Sequence, residues 1–209
     1  MRLLNTSLVV LADSFAPQAV TPDTLREVAG EPEPQGLIVT PVFTQMQYPS
    51  GLRVLVEPAK LQVTLASPTA EHASLPPIVL RYVLEGFRFV ARRALGINFL
   101  GFIQYSSPEA EKGLKRTLVD EDFLVNLVGA PLAGLGLTLV YGRNDARCRL
   151  VLRLDAEHEG ARGLIGDFNA NFEISSIENI LAKAEERAEW EGHFREAMAA
   201  LEARTEAAG

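Results

Sequence analysis

Four polar residues alternate with apolar ones near the end of the chain. They are Asp167, Asn169, Asn171 and Glu173. Side chains of a strand point to opposite faces in turn, so the alternation places all four on one sheet face. Three arginines of a nearby predicted strand are expected on the same face: Arg147, Arg149 and Arg153. The simpler interpretation is cross-strand charge pairing, worth roughly 0.2 to 1 kcal/mol per pair. The alternative is a face that binds a ligand or partner, which makes Arg149, Arg153 and the four residues candidate site residues.

A second group of polar residues lies close together in sequence: Asp155, Glu157, His158 and Glu159. A metal site needs ligands that converge at fixed spacing, with a further ligand from elsewhere in the chain. The chain has no HExxH or paired-cysteine pattern. An exposed charged loop between two strands is therefore favoured over a metal site or a hydrolase, and no metal or cofactor is predicted.

Other residues could take part in acid–base or nucleophilic chemistry. His72 and His193 could act as general bases, but no nucleophile pattern accompanies them. Cys148 alternates into the predicted core, which favours an inert thiol. The glycines near residue 134 lack the third glycine and the strand–turn–helix order of a dinucleotide-binding loop. No catalytic residue is predicted, and the sequence favours a protein that is not an enzyme.

These polar residues need a framework, and hydrophobic periodicity predicts one rich in strands. Predicted strands cover residues 3–12, 36–48, 52–56, 61–65, 97–104, 137–141, 148–155 and 164–174. Pro41 cannot donate to a ladder, so residues 36–48 are expected at a sheet edge or with a bulge. Predicted helices begin at Pro22, Pro108 and Asp120, and a long final helix covers 176–201, with Ser175 and Glu178 as a capping box.

The stretch 75–105 is predicted to be one long helix, 78–95, followed directly by a strand, with Gly96 between them. Four arginines of this stretch are expected to form a small basic patch: Arg81, Arg88, Arg92 and Arg93. The simpler role for that patch is pairing with Glu85 or solvating the helix.

The chain contains a predicted internal duplication. Residues 36–43 (GLIVTPVF) resemble residues 134–141 (GLGLTLVY). Each half, 1–95 and 96–201, reads as strand, short helix, three strands and long helix, and 202–209 is expected to fray. The predicted fold class is therefore α+β, a largely antiparallel sheet with two long helices on one face of a single domain.

That order of elements resembles the saddle of TATA-binding proteins. A DNA-binding saddle needs basic residues and apolar wedges on its open face. Here carboxylates and amides are expected among the arginines of that face, so the resemblance does not predict DNA binding by this chain.

Composition limits the function further. The net charge is −7, which disfavours contacts with nucleic-acid phosphates but leaves them open. A single cysteine and no long apolar run predict a cytoplasmic protein without a membrane span. The hypothesis is a non-catalytic protein-interaction or assembly component of a prokaryotic or phage system, which binds a protein partner or associates with itself. The alternative is a ligand- or nucleic-acid-binding module that uses Arg149, Arg153, Asn169 and Asn171.

Overall fold

The computed structural model describes residues 1–30, 33–87, 92–119, 121–128, 134–174 and 176–207. The strands are β1 Arg2–Ala12, β2 Gly36–Thr40, β3 Phe43–Gln47, β4 Leu52–Glu57, β5 Lys60–Ala66, β6 Arg92–Gln104, β7 Gly136–Arg143, β8 Ala146–His158 and β9 Ala161–Glu173. The helices are α1 Pro22–Ala29, α2 Leu75–Gly86, α3 Pro108–Leu118, α4 Glu121–Val128, α5 Ile177–Glu185 and α6 Arg187–Ala207. None of these described helices is both long and apolar enough to cross a membrane.

The strands form one antiparallel sheet in the order β2-β3-β4-β5-β1-β6-β9-β8-β7. This confirms the predicted α+β class. β1 and β6 are neighbours at the centre, and each is followed outward by the last strand of its own half. The first half contributes five strands and the second half four, and the predicted duplication stays a prediction.

The two long helical segments pack on the same face of the sheet. α2 contacts β1, β5 and α5, while α6 contacts β6 and β9. Alternate residues of the strands supply the other side of this core. On β9, Phe168, Ala170 and Phe172 are almost fully buried, and the Phe168 ring stacks 5.9 Å from that of Phe194 on α6. Burying a side chain of this size stabilises the fold by about 1.5–3 kcal/mol.

A buried arginine fastens the final helix to the centre of the sheet. Arg187 is 6% exposed. Its guanidinium donates to the Thr6 hydroxyl at 3.3 Å and to the Ala73 carbonyl at 3.0 Å, and it pairs with Glu191 at 3.0 Å. A buried cation is tolerated only when it is paired and hydrogen-bonded, so these contacts hold the start of α6 over β1.

The predicted helix over 78–95 is wrong in its second part. α2 ends at Gly86, where the Phe87 N–H bonds to the Leu84 carbonyl, and residues 88–91 lie outside the described structure. β6 begins at Arg92, so Gly96 lies within a strand and the proposed boundary at 95/96 does not separate a helix from a strand. Pairing with β1 on one side and β9 on the other outweighs local helix propensity there.

Further boundaries differ from the prediction. Residues 36–48 form two strands, because Pro41 and Val42 make the turn of a hairpin, so the first half has four strands in its meander. The expected loop at 156–161 is mostly strand, with β8 and β9 meeting at a turn around Gly160. The final helix is split at Glu186, and its N-cap is Ser176, whose hydroxyl accepts from the Asn179 N–H; the proposed cap, Ser175, lies outside the described residues. α6 continues to Ala207, past the predicted end at 201.

Candidate interaction face

A row of polar side chains crosses the middle of the sheet on the face opposite the helices, here called the open face. Strand register aligns the members of this polar row in the order Arg53, Thr64, Ser7, Asn98, Asn169, Arg149. The Asn98 amide donates to the Ser7 hydroxyl at 3.2 Å, and the Asn169 amide donates to the Asn98 side-chain oxygen at 2.6 Å. The amides at the centre are therefore held in fixed orientations, while an arginine lies at each end.

The predicted site residues lie on this open face. Asp167, Asn169 and Asn171 are half-buried, and Glu173 is exposed. Arg149 is directly opposite Asn169. Arg153 and Arg147 lie on the same side of β8, opposite Ile165 and Asn171 respectively. Alternation thus brings the whole predicted set together, while its role in binding remains a prediction.

The structure does not use these arginines in cross-strand ion pairs. Among the described residues, Arg147, Arg149 and Arg153 have no carboxylate within ion-pair distance. Asp167 lies opposite Val151, diagonally between two of the arginines. At about 3.4 Å per residue, Arg147 and Arg149 lie about 7 Å apart along the strand. The simpler interpretation of the set, as sheet-stabilising charge pairs, therefore has no contact to support it.

The open face is also partly apolar. Val9, Leu55 and Leu100 are half-buried on it, and Leu11 and Val140 are 44% and 55% exposed. Apolar area with arginine and amide groups around it is typical of surfaces that bind proteins. Near Arg153, where the register of β8 and β9 shifts, a cleft lined by Gly136, Ala156 and Ile165 could accept a side chain.

The charges of the open face differ from those of the whole chain. The face carries four arginines that lack ion pairs in the described structure, namely Arg53, Arg147, Arg149 and Arg153. Its carboxylates are Asp167, Glu173 and Glu57, and Glu57 is paired with Lys60. The chain as a whole has a net charge of −7. Acidic charge therefore predominates on the rest of the chain.

The residues of the second polar group are not brought together into a site. Asp155 pairs with Lys115 and lies 3.7 Å from Arg162. His158 lies against the Phe102 ring, with centroids 5.3 Å apart. In the parts of the chain that the structure describes, no three His, Cys, Asp or Glu side chains are placed to hold a metal ion.

The Asp155 contacts belong to a half-buried ion network. Glu111, 8% exposed, accepts a hydrogen bond from Arg162 at 2.8 Å and pairs with Lys115 at 2.9 Å. Burial opposes the charged form of Lys115, but its bonds to the two carboxylates outweigh that, and its pKa is raised. Burial, with the nearby negative charges, also raises the pKa of Tyr105, whose hydroxyl donates to a main-chain carbonyl. The network holds α3 against the β8–β9 hairpin.

The remaining candidates for catalysis, His193, Cys148 and His72, make structural contacts in the core or at the surface. The His193 ring hydrogen-bonds the Tyr141 hydroxyl at 2.8 Å, and burial, followed by Arg143, lowers its pKa. Cys148 is buried, and burial raises the pKa of its thiol. His72 contacts the Thr69 hydroxyl. None of the three lies on the open face.

The prediction of a basic patch on the central helix is wrong, because its arginines do not all lie on that helix. Arg92 and Arg93 belong to β6, and Arg88 lies outside the described residues. Arg81 pairs with Glu185 of α5 and not with Glu85, which was the predicted partner. Conversely, the sequence pattern did not predict Ser7 and Asn98 as members of the polar row. Their signal was a polar residue in the middle of an otherwise apolar central strand.

The sequence matches no model of a known protein family, and no curated protein matches it.

Proposed function

We propose that the protein is a non-catalytic interaction protein whose open sheet face binds another protein. The observation that carries the proposal is the set of exposed β8 arginines that have no ion-pair partner among the described residues, beside amides already ordered by hydrogen bonds. Interfaces are enriched in arginine because its planar group forms several hydrogen bonds at once. The partner surface is expected to place carboxylates opposite Arg149 and Arg153 and apolar side chains over Val9 and Leu100.

A protein partner is favoured over nucleic acid by the other groups of the face. Asp167 and Glu173 would repel phosphates, and so would the net charge of −7. The apolar residues of the face gain free energy when a partner covers them. A phosphate backbone would leave much of that apolar area uncovered.

The test is capture of partners from an extract of source cells on the immobilised protein, with quantitative mass spectrometry. The double variant Arg149→Ala/Arg153→Ala is compared with Arg116→Ala/Arg204→Ala, which removes the same charge from exposed helix positions. Each truncated interface arginine is expected to cost at least about 1 kcal/mol. We therefore expect the open-face variant to lose a partner at least about tenfold, while the control variant retains it.

Two outcomes would contradict the proposal. Equal recovery on both variants would place the binding surface elsewhere. Loss of all specific recovery after nuclease treatment, with wild-type binding to oligonucleotides that weakens steeply with salt, would establish the nucleic-acid alternative. Both variants should unfold at the wild-type temperature, because surface substitutions usually change stability by under about 0.5 kcal/mol.

A further inference from the structure

The outermost strand on one side of the sheet is apolar and exposed, although the short helix Pro17–Ala19 contacts it. β2 has β3 on one side and no described strand on the other. Its three central residues, Leu37, Ile38 and Val39, are 49%, 51% and 49% exposed, and the strand carries no charge. Edge strands of stable monomers usually carry lysine, proline or a bulge that prevents pairing. Within β2 none of these is present, because Pro41 falls in the turn that follows.

The free backbone groups of β2 can be assigned from its hairpin. Thr40 and Phe43 close the two-residue turn and pair with each other. Ladder bonds alternate along a strand. Ile38 and Thr40 therefore direct their N–H and C=O groups inward to β3, while Leu37 and Val39 direct theirs to the free edge. A strand added at this edge would bond to those two residues.

We infer that β2 pairs with β2 of a second copy of this chain, antiparallel and across a two-fold axis at Ile38. In this register Ile38 faces its own counterpart, and Leu37 of one copy faces Val39 of the other. The outward groups of Leu37 and Val39 then bond reciprocally, and every apolar side chain meets another. This sequence is complementary to itself because its apolar residues are symmetric about Ile38.

The electrostatics of the edge does not oppose a second copy at the strand itself. Two molecules with a net charge of −7 repel one another, but β2 is uncharged, so pairing places no like charges side by side. A two-fold interface is closed and stops at a dimer. The interface lies away from the arginines of β8 and is independent of the proposed open-face binding.

The opposite edge of the sheet provides a matched control. Val140 of β7 is 55% exposed and lies on the same open face as Ile38. Ile38→Lys places two ammonium groups across the two-fold axis, which destabilises the pair, whereas Val140→Lys adds the same charge far from it. By sedimentation equilibrium, we expect Ile38→Lys to raise the dimer dissociation constant at least about tenfold and Val140→Lys to leave it unchanged.

A cross-linking experiment tests the register itself. Opposed residues of a pair without mutual hydrogen bonds have Cα atoms about 4.5 Å apart, within the range of a disulfide. Ile38→Cys should therefore form a covalent dimer on mild oxidation, and Val140→Cys should not. The native Cys148 is buried and should not interfere.

The results separate the alternatives. A wild-type protein that stays monomeric at high concentration, with no Ile38→Cys cross-link, would overturn the inference. A dimer unaffected by Ile38→Lys would overturn it too, by placing the interface elsewhere. A cross-link that forms only in a mixture of Ile38→Cys and Val140→Cys would show β2–β7 pairing and an open-ended assembly. Arg149→Ala/Arg153→Ala should dimerise normally, so failure of the open-face proposal can be distinguished from failure of this one.

Discussion

The substitution Gly163→Ala tests the register that builds the polar row. Gly163 lies on the open face of β9, opposite Gln104 of β6, in the same register that pairs Asn98 with Asn169. A Cβ at this position would overlap the Ile103 carbonyl oxygen and come within 2.5 Å of the Phe102 ring. The main-chain oxygen cannot move without disturbing the ladder, so the β6–β9 pairing requires glycine here.

The expected cost follows from this overlap. Overpacking usually destabilises by about 1–3 kcal/mol, and a clash with main chain belongs at the upper end. Gly142 on β7 is the control, because a Cβ there meets no heavy atom within 4 Å. Gly142→Ala should be neutral or stabilise by up to about 1 kcal/mol through the unfolded chain.

Urea denaturation followed by tryptophan fluorescence gives both values. At about 2–4 °C per kcal/mol for a chain of this length, Gly163→Ala should also lower the melting temperature by about 6–12 °C. Similar stabilities for Gly163→Ala and Gly142→Ala would refute the register, and with it the alignment of Asn98 with Asn169.

Three further substitutions test individual parts of the structure. The Thr44 hydroxyl is buried and has no hydrogen-bond partner in the described part of the chain, so Thr44→Val should raise the free energy of unfolding by about 1 kcal/mol in urea; a loss would show that the hydroxyl is bonded. Glu111→Gln should lower it by about 1–3 kcal/mol at neutral pH, because Lys115 and Arg162 lose a buried carboxylate; an unchanged value would mean that the network adds nothing. The pKa of His193 is lowered on folding, so the unfolded chain takes up a proton first and stability falls as pH drops through about 6.5. His193→Gln should flatten that fall in thermal melts from pH 8 to 5, and identical slopes would contradict the assignment.

Local pattern was enough to predict much of the sheet. The alternation in β9 predicted its buried and open residues, because a strand with one covered face alternates strictly. The strands β4 and β5 and the helix beginning at Pro108 were also predicted, and in the structure the Ser107 hydroxyl caps that helix by accepting from the Ala110 N–H. These features depend on neighbours in sequence, which are visible without a structure.

The errors arose where distant partners decide the local structure. Residues 92–95 have the composition of a helix, but β1 and β9 offer ladders on both sides and draw them into a strand. Pro41 was interpreted as an irregularity within a strand, although its fixed φ also suits the first central position of a turn. The Glu111 network depends on residues from α3 and two strands, and only its Lys115 partner, four residues on, was visible in the sequence.

Photocross-linking in source cells is the most direct test of the open-face proposal. A photoreactive phenylalanine derivative would replace Arg147, an exposed residue of the open face, or Lys112, an exposed residue of α3, as a control. We predict a discrete protein adduct from position 147, absent when Arg149 and Arg153 are also changed to alanine, and no equivalent adduct from position 112. Adducts from position 112 alone, or from position 147 whether or not those arginines are present, would contradict a binding role for the open face.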